Sequence, residues 1–141
     1  ATEPSGTDYA KLDGLHTFYK PENTASIEKQ VVDFLAKNNA SINDIDLIIT
    51  GKNGDASSDE VYNALNKTVF NNKDIVNYKY LCGEYPTASA FAMWLAASTI
   101  KAGKLPAALS AAISPDKKIN RILIYNHYQG IHHSLSLLSA C

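Results

Sequence analysis

A chain of 141 residues, 45% of them hydrophobic, is long enough for one hydrophobic core and predicts a single domain. Thirteen Lys and Arg against 14 Asp and Glu leave a net charge of -1, which argues against a nucleic-acid binder working through a basic surface. Cys82 and Cys141 form neither a disulfide framework nor a CxxC metal motif.

No leader, transit peptide or membrane span is recognisable, so a cytoplasmic protein is the expectation. The opening ATEPSG lacks Met and reads as a processed start or a boundary cut from a longer frame. Residues 1–8 read as a disordered lead-in, with the domain over 9–141. Tyr9 to Phe18 reads as a strand, broken at Lys20-Pro21-Glu22-Asn23. A helix should start near Thr24 or Ser26, either a suitable cap. Ile27, Val31, Phe34 and Leu35 keep its helical stripe, and Asn38-Asn39 ends it.

Leu47-Ile48-Ile49, after Asp44-Ile45-Asp46, has no polar alternation and predicts a central strand covered on both faces. The loop from Gly51 to Asp59 contains two glycines but matches no phosphate-binding pattern. Asp55, Asp59 and Glu60 suit a helix N-terminus better than a cation site. Ser57 with Glu60 predicts a capping box, and Val61, Leu65 and Val69 or Phe70 the buried face of the next helix. Ile75 to Tyr80 reads as a strand.

The stretch from Tyr78 to Gly103 is the one around which the chain is organised. Pro86 suits a first helical turn. From Thr87 to Ala102 the residues are small or apolar nearly all round, which predicts a helix buried on several sides. It is short for a membrane span of roughly 20 residues. Gly103 and Leu105-Pro106 stop it, and Ala107 to Pro115 reads as a linker or one more helical turn. Arg121 to Tyr125 and Ile131 to Leu138 predict an antiparallel pair joined through Asn126–Gly130. The order β-α-β-α-β-α-β-β implies an α/β fold with a five-stranded mixed sheet.

Glu84, at a strand-to-helix turn expected to be buried, is a candidate acid or base, but equally a helix cap or a partner of Lys79. His132 and His133 would point to opposite faces of a strand and cannot jointly hold a metal without distortion. His16 is remote from them in sequence, so no metal is expected, nor a cofactor. Cys82 reads as a small core residue.

From Tyr9 to Leu138 this arrangement resembles the C-terminal half of a β-ketoacyl synthase, of the thiolase-fold superfamily. Asp44–Ile49 is similar to the family's Asp-Ile-Asp strand. The family loop His-Gly-Thr-x-Thr-x-x-x-Asp reads GKNGDASSD here, so Asp59 matches while Gly51 stands where the first catalytic His belongs. The motif Lys-x-x-x-Gly-His reads KYLCGEYPTASA: Lys79 and Gly83 match, and Glu84 takes the second His position. Met93 stands where a Glu is usual, and Gly103–Pro106 is similar to the family's helix exit. In the hairpin HYQGIHHS, Tyr128, Gly130 and Ser134 match in kind.

The resemblance implies acyltransferase chemistry, acyl carrier proteins as partners, and fatty-acid or polyketide-type biosynthesis. In the family a Cys of the N-terminal half works with the two His, and this chain has neither such a half nor either His. The leading expectation is a non-condensing accessory subunit or fragment, and decarboxylative condensation by this chain alone is expected to be absent. A second reading makes Lys79, Glu84 and Asp59 a rearranged site for acyl transfer or hydrolysis. A third is an interaction module. Tyr128 and Gly130 are the candidate substrate-binding residues. Family halves pack their central helices together, which implies a dimer, homo- or hetero-oligomeric, burying the 87–102 surface, with a ketosynthase N-terminal half as one possible partner.

Overall fold

The computed structural model describes residues 5–114 and 117–141. Its strands are β1 (Lys11–Tyr19), β2 (Leu47–Thr50), β3 (Ile75–Asn77), β4 (Arg121–Tyr128) and β5 (His132–Ser139). They form one mixed sheet in the order β1-β5-β4-β2-β3. β2 runs parallel to β3 and β4, while β5 is antiparallel to β4 and β1. The long helices are α1 (Thr24–Lys37), α2 (Ala56–Lys67) and α4 (Ala88–Ala102); a four-residue turn of helix, α3, covers Lys79–Cys82.

Strand periodicity divides the core into two layers. Ile48, Leu123, Tyr125, Leu135 and Leu137 face α1 and α2, meeting Val31, Phe34, Tyr62 and Leu65. Leu47, Ile49, Ile122, Ile124 and Leu138 face α4, meeting Ala88, Ala92, Leu95 and Ala96. All four β2 residues are buried, as a strand covered on both faces requires. Asp46 fixes the start of the neighbouring strand: its carboxylate accepts from the N–H groups of Asn120 and Arg121 at 2.9 Å each.

Several boundaries differ from those expected. Neither Thr24 nor Ser26 caps α1; Asn23 does, accepting from the Ser26 N–H at 2.9 Å. Asp55 rather than Ser57 caps α2, accepting from the Ser58 N–H and hydroxyl. Tyr62 takes the buried position expected of Val61. The third strand stops at Asn77 rather than Tyr80, because the fully buried Tyr78 turns into the α4 layer and Lys79 begins α3. α4 begins at Ala88 with Thr87 as its cap residue, so Pro86 stands in the preceding turn. β4 continues to Tyr128, and Gln129 and Gly130, both at positive φ, make the hairpin turn.

The expectation for α4 holds on one side. Six of its residues are buried against the sheet, but Ser89, Ala90 and Trp94 form an open flank, with Trp94 59% exposed. A helix that lacks a polar face is therefore half uncovered in this chain. Pro115, the end of the expected linker, lies outside the described residues, as do residues 1–4; Ala107–Ala112 form a 3-10 helix. Residues 5–8 form a turn, tied to α4 where Lys101 donates to the carbonyls of Gly6 and Asp8. No helix of the described residues is long and apolar enough to cross a membrane.

Candidate functional site

The connection from β2 to β3 passes over one face of the sheet through α2, and that from β3 to β4 over the other through α4. A crevice opens where such connections diverge, beyond the carboxyl ends of the parallel strands. Here Lys79, Glu84, His127 and Tyr128 line the cavities at this end of the sheet, with Gly51, after β2, and Asn126, near the end of β4, at their floor. The two strands are locked in register there, Thr50 opposite Tyr125.

Gly51 and Asn126 are closely fitted. A Cβ on residue 51 would lie 1.9 Å from Asn126 Oδ1 and 2.8 Å from the Tyr62 hydroxyl, so no side chain can stand there without displacing them. The Tyr78 hydroxyl donates to Asn126 Oδ1 at 3.1 Å, and that of Tyr62 at 3.5 Å. Tyr62 in turn accepts from the His127 N–H at 3.1 Å. Burial raises the pKa of both tyrosines and keeps them as phenols. The first position that resemblance assigned to a histidine is thus filled by an asparagine reaching across from the neighbouring strand.

Beside this network stands the ion pair of Lys79 and Glu84, Nζ to Oε2 at 2.6 Å. The two are unequally placed: the Lys79 side chain is 6% exposed and that of Glu84 47%. Glu84 is therefore not the buried carboxyl expected from the sequence. α3 ends at Gly83 (φ +83°), and the chain there swings the carboxylate to the surface. Its slight burial raises the pKa, but hydrogen bonds from Lys79 and Asn53 outweigh this and hold it below the ordinary value. Glu84 is a carboxylate at neutral pH, and no neutral donor.

Asp59 reaches the same place at one remove. Buried at the start of α2, it accepts from the N–H of Asn53 at 3.1 Å and of Gly54 at 2.9 Å. Asn53 then donates to Glu84 Oε2 at 2.9 Å. The structure brings Lys79, Glu84 and Asp59 together through Asn53, with Asp59 bracing the loop rather than facing the ion pair. Tyr128 is exposed and lines a cavity of about 480 Å3 with Lys79, Glu84 and Asn126. Gly130 is turned away from it: at φ +62° it closes the hairpin and donates its N–H to His127 Nδ1 at 3.1 Å.

That bond settles the state of His127. Nδ1 accepts, so Nε2 carries the proton and donates to the Ser58 carbonyl at 2.9 Å. Burial, helped by the neighbouring His133, pushes its pKa down to about 4. With both nitrogens engaged, His127 is a strut between α2 and the hairpin. His133 is buried on the α1 side against Tyr125 and Phe18, and His132 is exposed, which gives the opposite faces expected of them. Among the described residues no cluster of three or more metal-ligating side chains occurs.

Sequence reasoning missed Tyr62, Tyr78, Asn53 and Asn126. A glycine straight after a buried strand was an available sign of close backbone approach, but what approaches it lies 75 positions away.

No known family profile matches this sequence, and neither does any curated protein. Similarity appears among solved structures. The ishigamide ketosynthase/chain length factor superposes with a TM-score of 0.75 at 15% identity, over 94% of this chain and 38% of that one. Ketosynthase twelve from the bacillaene polyketide synthase of Bacillus amyloliquefaciens gives 0.72 at 14% identity, over 94% and 30%. A type II polyketide acyl-carrier protein in complex with its ketosynthase gives 0.62 at 16%, over 94% and 34%. The chain thus spans less than half of the chains it resembles, and at this identity the likeness is one of fold. This protein has a half-size, ketosynthase-like α/β fold of the thiolase type.

Proposed function

We propose that this chain is a ketosynthase-like subunit of fatty-acid or polyketide-type biosynthesis that does not itself condense acyl units. The fit of Asn126 against Gly51 carries the reading, because it excludes an imidazole from the first of the two positions that condensation uses. The second holds Glu84, a carboxylate bound by Lys79 and Asn53. Enolate formation is promoted by donors aimed at the developing oxyanion, and a fixed negative charge there raises the barrier. The work left to such a chain is association: with an acyl carrier protein, as one of the similar ketosynthases does, and with a second α/β half against the open flank of α4.

The test is carbon dioxide release from a malonyl thioester, by the chain alone and mixed with an intact synthase whose own Cys is blocked. Background rates are expected in both. Release above background that Glu84→Ala abolishes would overturn the reading and make Glu84 a catalytic acid. A second reading, acyl transfer or hydrolysis with Glu84 as base beside Lys79, is favoured by the position of that ion pair on the wall of the 480 Å3 cavity. Thioester hydrolysis lost in Glu84→Gln would support it, and a rate unchanged by that substitution would exclude it.

A further inference from the structure

Three cavities converge on the side chain of Asn126. One, of about 480 Å3, lies in front of Lys79. A second, of about 560 Å3, extends toward Tyr19 and His132. The third, of about 580 Å3, follows α4 past Met93 and Trp94.

The partners of Asn126 decide which way its carboxamide points. Tyr62 accepts from the His127 N–H, and its own proton then needs an acceptor, which Asn126 Oδ1 supplies. Tyr78 donates to the same oxygen. The oxygen is thereby held toward the two phenols, and the Nδ2 group, with two N–H donors, is turned away from them. Among the described residues Nδ2 has no acceptor.

A second donor shares the wall. Lys79 Nζ makes its side-chain bond to Glu84, whose carboxylate is exposed enough to swing into water. Ala88 and Ser89, the first turn of the 15-residue α4, also line this cavity and bring the positive end of its dipole to it. Tyr78, Pro86 and Tyr128 supply apolar surface around these donors. An amide donor, an ammonium and a helix N-terminus on the wall of one cavity, with apolar surface beside them, match a carboxylate carried on a short hydrocarbon chain.

We propose that Asn126 Nδ2 and Lys79 Nζ form a two-point receptor for the carboxylate of a short aliphatic acid, which replaces Glu84 as the partner of Lys79. The head-group receptor follows from the donors and the apolar tail from the cavity wall; only the choice of an acyl-type acid rests on the pathway reading above. Specificity is for the charge: a neutral ligand of the same length gives Lys79 no reason to leave Glu84.

The test is a calorimetric or NMR titration of the full chain with hexanoate at neutral pH, with 1-hexanol as the uncharged control. Saturable hexanoate binding is expected, without comparable binding of hexanol. Lys79→Met and Asn126→Asp should each weaken hexanoate by about tenfold or more, the usual effect of losing a donor to a charged group. Asn126→Asp still offers its oxygen to Tyr62 and Tyr78, so its thermal melting point should stay near that of the parent. Tyr78→Phe, which removes the hydroxyl that holds the carboxamide and keeps the ring on the cavity wall, should weaken binding severalfold and serves if Asn126→Asp fails to fold. Hexanoate affinity unchanged by Asn126→Asp or Tyr78→Phe, hexanol binding as well as hexanoate, or no saturable binding at millimolar hexanoate would each overturn the proposal. The titration needs neither decarboxylation nor a partner subunit, so its failure and that of the functional reading are separately visible.

Discussion

At Gly51 the main chain leaves β2 with the Asn126 carboxamide lying where a Cβ would project. Gly51→Ala is expected to destabilise the fold by about 2–3 kcal/mol, as overpacking of a filled site does. Most of that loss should disappear in the background of Asn126→Gly, which vacates the space. A double-mutant cycle by urea unfolding checks it, and additive effects would mean that the two residues do not share one volume. His127 gives a second expectation. The unfolded chain takes up its proton near 6.5 and the folded one near 4, so between those values the unfolded state binds more protons. Stability from this group is therefore complete above about pH 6.5 and is lost as pH falls toward about 4. The span is worth roughly 3 kcal/mol. His127→Gln, which keeps a donor for Ser58, should flatten the pH dependence of unfolding free energy in this window; an undiminished slope would assign it to other groups.

Among the elements, α4 carries the clearest conflict between local pattern and cover. Its buried side is an ordinary core stripe: Leu95 is fully buried, and Leu95→Ala should cost about 2–5 kcal/mol as a cavity-forming change. The other side holds Trp94, beside a groove formed with Leu15, Ile124 and Ser136 of the sheet. Leu15 is 62% exposed on the edge strand β1, so the uncovered surface continues from helix to sheet. Trp94→Lys should leave the unfolding free energy of an isolated chain within about 0.5 kcal/mol of the parent, as for a surface change. It should abolish any association through this flank, which sedimentation velocity would reveal. A variant that assembles like the parent would move the interface elsewhere.

At the scale of the whole molecule, 94% of this chain superposes on less than half of each of the three synthases named above. A unit of this shape leaves one side of its central helix without a neighbour, and large exposed apolar patches mark association sites. We therefore expect the protein to form a dimer, or a tighter assembly with a second thiolase-type half, through α4 and β1. Sedimentation equilibrium across the micromolar range checks this, and a persistent monomer that binds no ketosynthase subunit would count against it.

The β-α-β-α-β-α-β-β order, the doubly covered strand at Leu47–Thr50 and the hairpin before the C-terminus were all legible in the sequence, because strand and helix periods act over neighbouring residues. A pairing of Glu84 with Lys79, five positions away, was one of the alternatives the sequence left open, and the structure selects it. Three features needed the tertiary structure. Asn126 meets Gly51 and Tyr78 because β4 lies beside β2, a contact between segments that no local pattern encodes. The exposure of Glu84 follows from Tyr78 turning inward and Gly83 reversing the chain, which replaced an expected strand with a turn of helix. The open flank of α4 depends on which surfaces this half sheet can reach: hydrophobicity along the sequence states that a helix is to be covered, and only packing decides by what.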